Sequence, residues 1–410
     1  MPKYLTLFLL MSSILQSCGD DPLACSDENF CAINESGSAV CADGYEWLNP
    51  DVAEDYRCKE KTYLPILGDG ANSIDAVNLT VVGSSADGLN VPRDLGFNPA
   101  VAGQLWVVNR GDESMVIYAD TATSSQSSLK KRDIFDGGAH FLAQPAGIAF
   151  ASNGNFSTIH ETAEETQGSY PESFGSTPFD FMGPTMWSSN LNIFNAGHAG
   201  HIDMMHNTPL GMGIAWEADN IYWVFDGYHS SITRYDFKED HGPGGTIHDD
   251  GIVSRYAQGK VKRAANVVSH MELDRENNRL YIADTGNNRV AVLHTDSGKR
   301  GADLSWAENY DCTEFRCSDY HFIDDAIIES FVNGPTHDMT QPSGLAIHEG
   351  NIFVSDYPTG RIFAFTPEGK LVDWLDTQRP NALGGMEFHT DGSLYVVDSA
   401  ANEVLRIQPQ

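Results

Sequence analysis

Apolar and polar positions alternate in one recurring sentence along most of the chain. Residues 280–293 read "LYIADTGNNRVAVL": an apolar run, Asp284, a Gly-Asn-Asn turn, an Arg, and a second apolar run. That punctuation predicts two short antiparallel strands joined by a tight turn. The same pair returns as "LWVVNRGDESMVIY", "IYWVFDGYHSSITRY", "IFVSDYPTGRIFAF" and "LYVVDSAANEVLRI". Each is preceded by a shorter strand: "RDLGF", "MGIAW", "SHMEL", "SGLAI" and "GGMEF". A sixth copy opens on "AGIAF" and continues in the poorly matching "GNFSTIHETAEETQG". Helix-period patterns are hard to find. Six units at uneven spacings of roughly 40 to 75 residues predict a ring of small sheets with loop insertions.

The hairpin "LYIADTGNNRVAVL" resembles the hallmark of NHL repeats, and the resemblance runs from about Val81 to the C-terminus. It implies an all-β, six-bladed β-propeller over residues 63–410. It also implies that an early strand closes the ring on the last blade. The parts are present: the sixth unit ends after three strands at "EVLRIQPQ", and "IDAVNLTVVG" (residues 74–83) reads as a lone strand. Pairing them would remove two open sheet edges, and such a ring is expected to be a monomer.

The first 62 residues break the pattern. One Lys, an apolar stretch from Tyr4 to Leu15 and small or polar residues read as an export signal over residues 1–17, too short to span a bilayer. "LQSC" resembles a lipobox and would make Cys18 a lipid-bearing first residue of an extracytoplasmic, membrane-anchored chain. Of seven Cys, that leaves six: Cys25, Cys31, Cys41, Cys58, Cys312 and Cys317. An even set in an exported protein reads as disulfides. Cys312 and Cys317, in "CTEFRC", are placed to staple their own loop. The first four make residues 18–62 a small disulfide-rich stalk, and "CADGYEW" resembles part of an EGF-like module. The pairing among these four is left open by the sequence. The net charge of −32 sets the chain against nucleic acid and anionic lipid surfaces. Membrane contact is therefore expected only through the lipid.

Candidate chemistry gathers at the strand starts. His140, His206 and His337 each stand seven residues before a strand-start glycine: Gly147, Gly213 and Gly344. His270 occupies a strand start itself. Imidazoles converging from separate blades would hold zinc or another divalent metal. Asp226, Asp284, Asp356 and Asp398, which end the second strands, would be the groups to orient such ligands. The same Asp positions equally suit turn amides, which is a purely structural use. Tyr228 lies in a "DGY" turn resembling that of peptidyl amidating lyases, six-bladed propellers with a His-bound zinc and a catalytic Tyr. The strand starts "QPAG" and "QPSG" place Ala146 and Ser343 where that family has its His. The segment 154–195 is long for a blade connection, and its Phe174, Phe179, Phe181 and Trp187 either wall a pocket or pack on a blade. No nucleophile-elbow, zincin, Walker or Rossmann pattern occurs. Two functions fit. One is a module that binds an unidentified protein, peptide or small molecule through its channel face. The other is a metal-dependent lyase or hydrolase.

Overall fold

The computed structural model describes residue 25 and residues 30–34, 38–42, 45–48, 55–60, 62–132, 141–162, 182–194, 200–244, 249–305 and 318–410. The described residues fall in two compact units, one within Met1–Tyr63 and one spanning Leu64–Gln410. In the smaller unit, Cys31–Ile33 pairs with Ala39–Cys41, and Tyr45–Trp47 pairs with Cys58–Glu60. Disulfides join Cys25 to Cys31 and Cys41 to Cys58. Two ladders this short have little core of their own, so the cross-links hold them. Disulfides are what an extracytoplasmic chain carries. Cys18, Cys312 and Cys317 lie outside the described residues. No described helix is long and apolar enough to cross a membrane.

The larger unit is all strand, with only short 3-10 turns among the described residues. Blade 1 is Pro92–Phe97, Leu105–Asn109, Ser114–Ala119 and Ser127–Lys131. Blade 2 is Pro145–Phe150, Asn155–His160, Thr185–Ser188 and His201–Met204. The weak second repeat is therefore a full blade whose third strand is delayed to residue 185. Blades 3, 4 and 5 begin at Ile214–Ala218, Met271–Asp274 and Pro342–His348. Blade 6 has three late strands, Leu383–Phe388, Leu394–Asp398 and Glu403–Pro409, and takes Val77–Gly83 as its fourth. The pairing is antiparallel, from Val404 opposite Gly83 to Pro409 opposite Val77. The ends of the propeller are thus tied by a closing strand, as the sequence pattern predicts.

The first strands of successive blades neighbour one another in a closed circle from blade 1 round to blade 6 and back. Six apolar clusters fill the gaps, one per blade interface. Trp106, Phe156, Trp187 and Phe194 share the cluster between blades 1 and 2, for example. Trp187, fully buried there, packs on its blade. The other aromatics of that segment, Phe174, Phe179 and Phe181, lie outside the described residues. Burial on both sides explains the run-like strands: Leu105–Asn109 is buried at all five positions. One feature has no counterpart in the repeat. Asp319–Asp324, from the segment between the third and fourth strands of blade 4, pairs in parallel with the outer strand of blade 3, Ile252–Tyr256. Lys299–Asp303 pairs with it in turn, extending that sheet to six strands.

Candidate functional site

Near the axis the first strands crowd together, and the second residue of each opening motif, from "RDLGF" to "GGMEF", records it. That position holds Asp94, Gly147, Gly213, His270, Gly344 and Gly385. Its side chains turn toward the next blade. A Cβ at Gly213 would fall 2.0 Å from the Ser269 carbonyl oxygen, and one at Gly344 would fall 2.1 Å from that of Gly384. Such distances are impossible, so glycine is required for the blades to close. The two exceptions stand on blades 1 and 4, opposite each other in the ring. They meet across the channel, with His270 Nε2 3.4 Å from Asp94 Oδ1. Asp94 also accepts the N–H of Ile148 at 3.0 Å and of Leu95 at 2.9 Å. His270 Nδ1 lies 2.9 Å from the Leu345 carbonyl oxygen. The inner edge of a first strand has no further strand to bond, so these side chains satisfy its backbone groups. Burial raises the Asp94 pKa, with His270 and the two N–H donors opposing the rise.

Two residues further on, the matching position reads Gly96, Ala149, Ala215, Glu272, Ala346 and Glu387. Gly96, Ala149 and Ala215 line a partly open cavity of about 330 Å³ together with the two glutamates. Phe97, Phe150 and Trp216 form its aromatic wall, and Arg275 lies at its edge with its guanidinium 4.4 Å from the Trp216 ring centre. Glu387 accepts the Phe97 N–H at 2.8 Å. Burial, opposed by that N–H and reinforced by the charges of Glu272 and Asp94, pushes its pKa up to about 8. Burial also raises Glu272, against the pull of His270 and Arg275. At neutral pH Glu387 therefore holds its proton for most of the time. Carboxyls shifted from their ordinary ionisation inside a cavity make this the candidate site by a physical criterion.

The described residues among those singled out from sequence are dispersed. His206 is buried, and its carbonyl oxygen accepts the Tyr235 hydroxyl at 2.6 Å. His337 ends the 3-10 turn Gly334–His337 and packs edge-on against Phe365, with ring centres 5.2 Å apart. His140 lies outside the described residues. Among the described residues no three His, Cys, Asp or Glu side chains are grouped to hold a metal ion. Among the described candidate histidines, His206, His270 and His337, only His270 borders the cavity. Tyr228 is 44% exposed and rests edge-on against His229. The repeated aspartates serve their turns. Asp284 takes the Lys262 N–H at 2.7 Å and Arg289 Nε at 2.7 Å. Asp356 takes the N–H groups of Thr340 and Gln341. Asp226 takes those of Tyr228 and His229, and Asp398 those of Ala400 and Ala401. Asp284 and Asp356 thereby pin the loop that leads into their own blade.

No protein-family model matches the chain, and no curated protein matches its sequence. Solved structures similar to it include a streptogramin B lyase, at 11% identity over 82% of this chain and 98% of that one, with a TM-score of 0.46. A luciferin-regenerating enzyme is similar at 12% identity over 81% and 95%, with a TM-score of 0.48. An auxiliary nutrient binding protein from Bacteroides ovatus is similar at 11% identity over 93% and 82%, with a TM-score of 0.46. The likeness is one of architecture at low identity. By its own closed ring of six blades, the chain is a six-bladed β-propeller.

Proposed function

We propose that this protein is an extracytoplasmic binding propeller whose channel cavity takes a compact organic cation, such as an amine or quaternary ammonium group. One observation carries the reading: Glu272 and Glu387 share a cavity with an aromatic wall, burial raises the pKa of both, and the charge of Glu272 adds to the rise at Glu387. Glu272 feels the positive pull of His270 and Arg275, whereas Glu387 has no positive partner of its own among the described residues. A cation entering the cavity would supply it, ionise Glu387 and lie against Phe150 or Trp216 by cation–π attraction. The net charge of −32 would draw such a ligand toward the surface. Asp94 and His270 lie across the channel, and the cavity extends beyond them along the same strands.

Calorimetric titration with choline and methylammonium tests this. Saturable binding of either probe that is weakened at least tenfold by Glu272→Gln with Glu387→Gln supports it. Absence of binding, or binding indifferent to both substitutions, overturns it. A metal-dependent lyase would need ligands beyond the described histidines, since His206, His270 and His337 form no metal-binding group.

A further inference from the structure

The mouth where the first strands begin has the opposite character. Glu161 follows the second strand of blade 2, and its side chain is 4% exposed. Its Oε2 receives Arg110 Nε at 2.9 Å and faces Arg93 Nη2 at 3.5 Å. Its Oε1 receives the Asn266 N–H at 2.7 Å and faces Arg263 Nη1 at 3.4 Å. Arg93 also donates to the Asn266 carbonyl oxygen, reaching from blade 1 to the loop before blade 4. Asn266 offers both groups inward because its φ is +66°, in the left-handed region that Asn tolerates.

The charges do not balance. Three guanidiniums surround one carboxylate, leaving two positive charges in a chain whose net charge is −32. Two of the three contacts, at 3.4 and 3.5 Å, are too long for strong hydrogen bonds. Each guanidinium has five N–H donors, and Glu161 uses few of them. The Arg93 side chain is 5% exposed, and its Nε has no hydrogen-bond partner among the described residues. Arg110 and Arg263 keep 24% and 27% of their side chains exposed, so they face solvent at the mouth. Burial lowers the Arg93 pKa; Glu161 opposes this and Arg110 adds to it. A buried, under-paired positive cluster is costly unless a second anion completes it.

We propose that this mouth binds a small oxyanion, a carboxylate or phosphate group, through Arg93, Arg110 and Arg263, with Glu161 holding the three guanidiniums in position. The planar guanidinium fork matches both oxyanions. The site is separate from the cation cavity and stands or falls independently of it.

The test is titration of the full chain with inorganic phosphate and with succinate, against sodium chloride at matched ionic strength. Saturable binding of at least one anion is expected, one per chain. Arg110→Gln with Arg263→Gln, both partly exposed positions, should weaken it at least tenfold while the circular-dichroism spectrum stays unchanged. Glu161→Gln, if folded, should tighten it, because the competing charge is gone; Glu272→Gln should leave it unchanged. Preference for phosphate or for succinate assigns the source of the oxyanion. The proposal is overturned if neither anion binds beyond the chloride control, or if the double variant binds as well as the parent.

Discussion

Replacing Glu387 with Gln removes one ionisable group while keeping its shape and an oxygen for the Phe97 N–H. The consequence for stability follows from the pKa of about 8 in the folded chain against an ordinary 4.5. Below about pH 4.5 the carboxyl is protonated in both states and imposes no penalty. As pH rises, the unfolded chain releases the proton while the folded chain retains it, so stability falls by about 1.4 kcal/mol per pH unit. The loss ends once the folded group also ionises, near pH 8. The ceiling is about 5 kcal/mol, and water in the partly open cavity reduces it to roughly 2 kcal/mol. Urea unfolding of both proteins at pH 5 and pH 8.5 measures the difference. The variant should match the parent within about 0.5 kcal/mol at pH 5 and exceed it by roughly 2 kcal/mol at pH 8.5. Asp94 and Glu272 titrate in both proteins and largely cancel. Parallel stabilities across this range would refute the assignment of a raised pKa to Glu387.

Gly213→Ala places a Cβ 2.0 Å from a backbone oxygen of the next blade and should cost about 3 kcal/mol or more, read as a lower urea midpoint; an unchanged midpoint would mean the first strands are less crowded. Removing residues 1–62 should leave a cooperatively melting propeller, whereas removing residues 1–83 strips the strand paired with Glu403–Pro409 and should abolish cooperative melting; equal melting of the two would contradict ring closure. Cys18→Ser should shift the protein from the membrane fraction to a soluble exported one, and unchanged membrane association in fractionation would exclude a lipid anchor at that residue.

The fold was legible because each blade repeats its own punctuation. Strand-start glycines mark the crowded axis, and Asp284 or Asp356 marks the turn that pins a loop. The closing strand was legible from the three-strand ending of the last repeat. The site was less so. His206 and His337 share an offset from Gly213 and Gly344, but that offset runs through irregular loop, where equal sequence distance does not give equal position. Within a strand the spacing is rigid, and there a usable signal existed. "SHMEL" and "GGMEF" carry Glu272 and Glu387 where the other four copies carry Gly or Ala. The mouth cluster draws Arg93, Arg110, Glu161 and Arg263 from different segments, and no local pattern joins them. The added strands of blade 3 come from a blade 4 insertion, a pairing that only the tertiary structure specifies.

A cation bound in the channel cavity should displace the Glu387 proton. Calorimetry of choline binding at pH 7.5, in two buffers of different ionisation enthalpy, counts the protons released per ligand bound. With a folded pKa of about 8, Glu387 is about three-quarters protonated at that pH, so at least about 0.7 proton should leave on saturation, and the release should vanish in Glu387→Gln. Binding with no proton release, or equal release in the variant, would contradict the account.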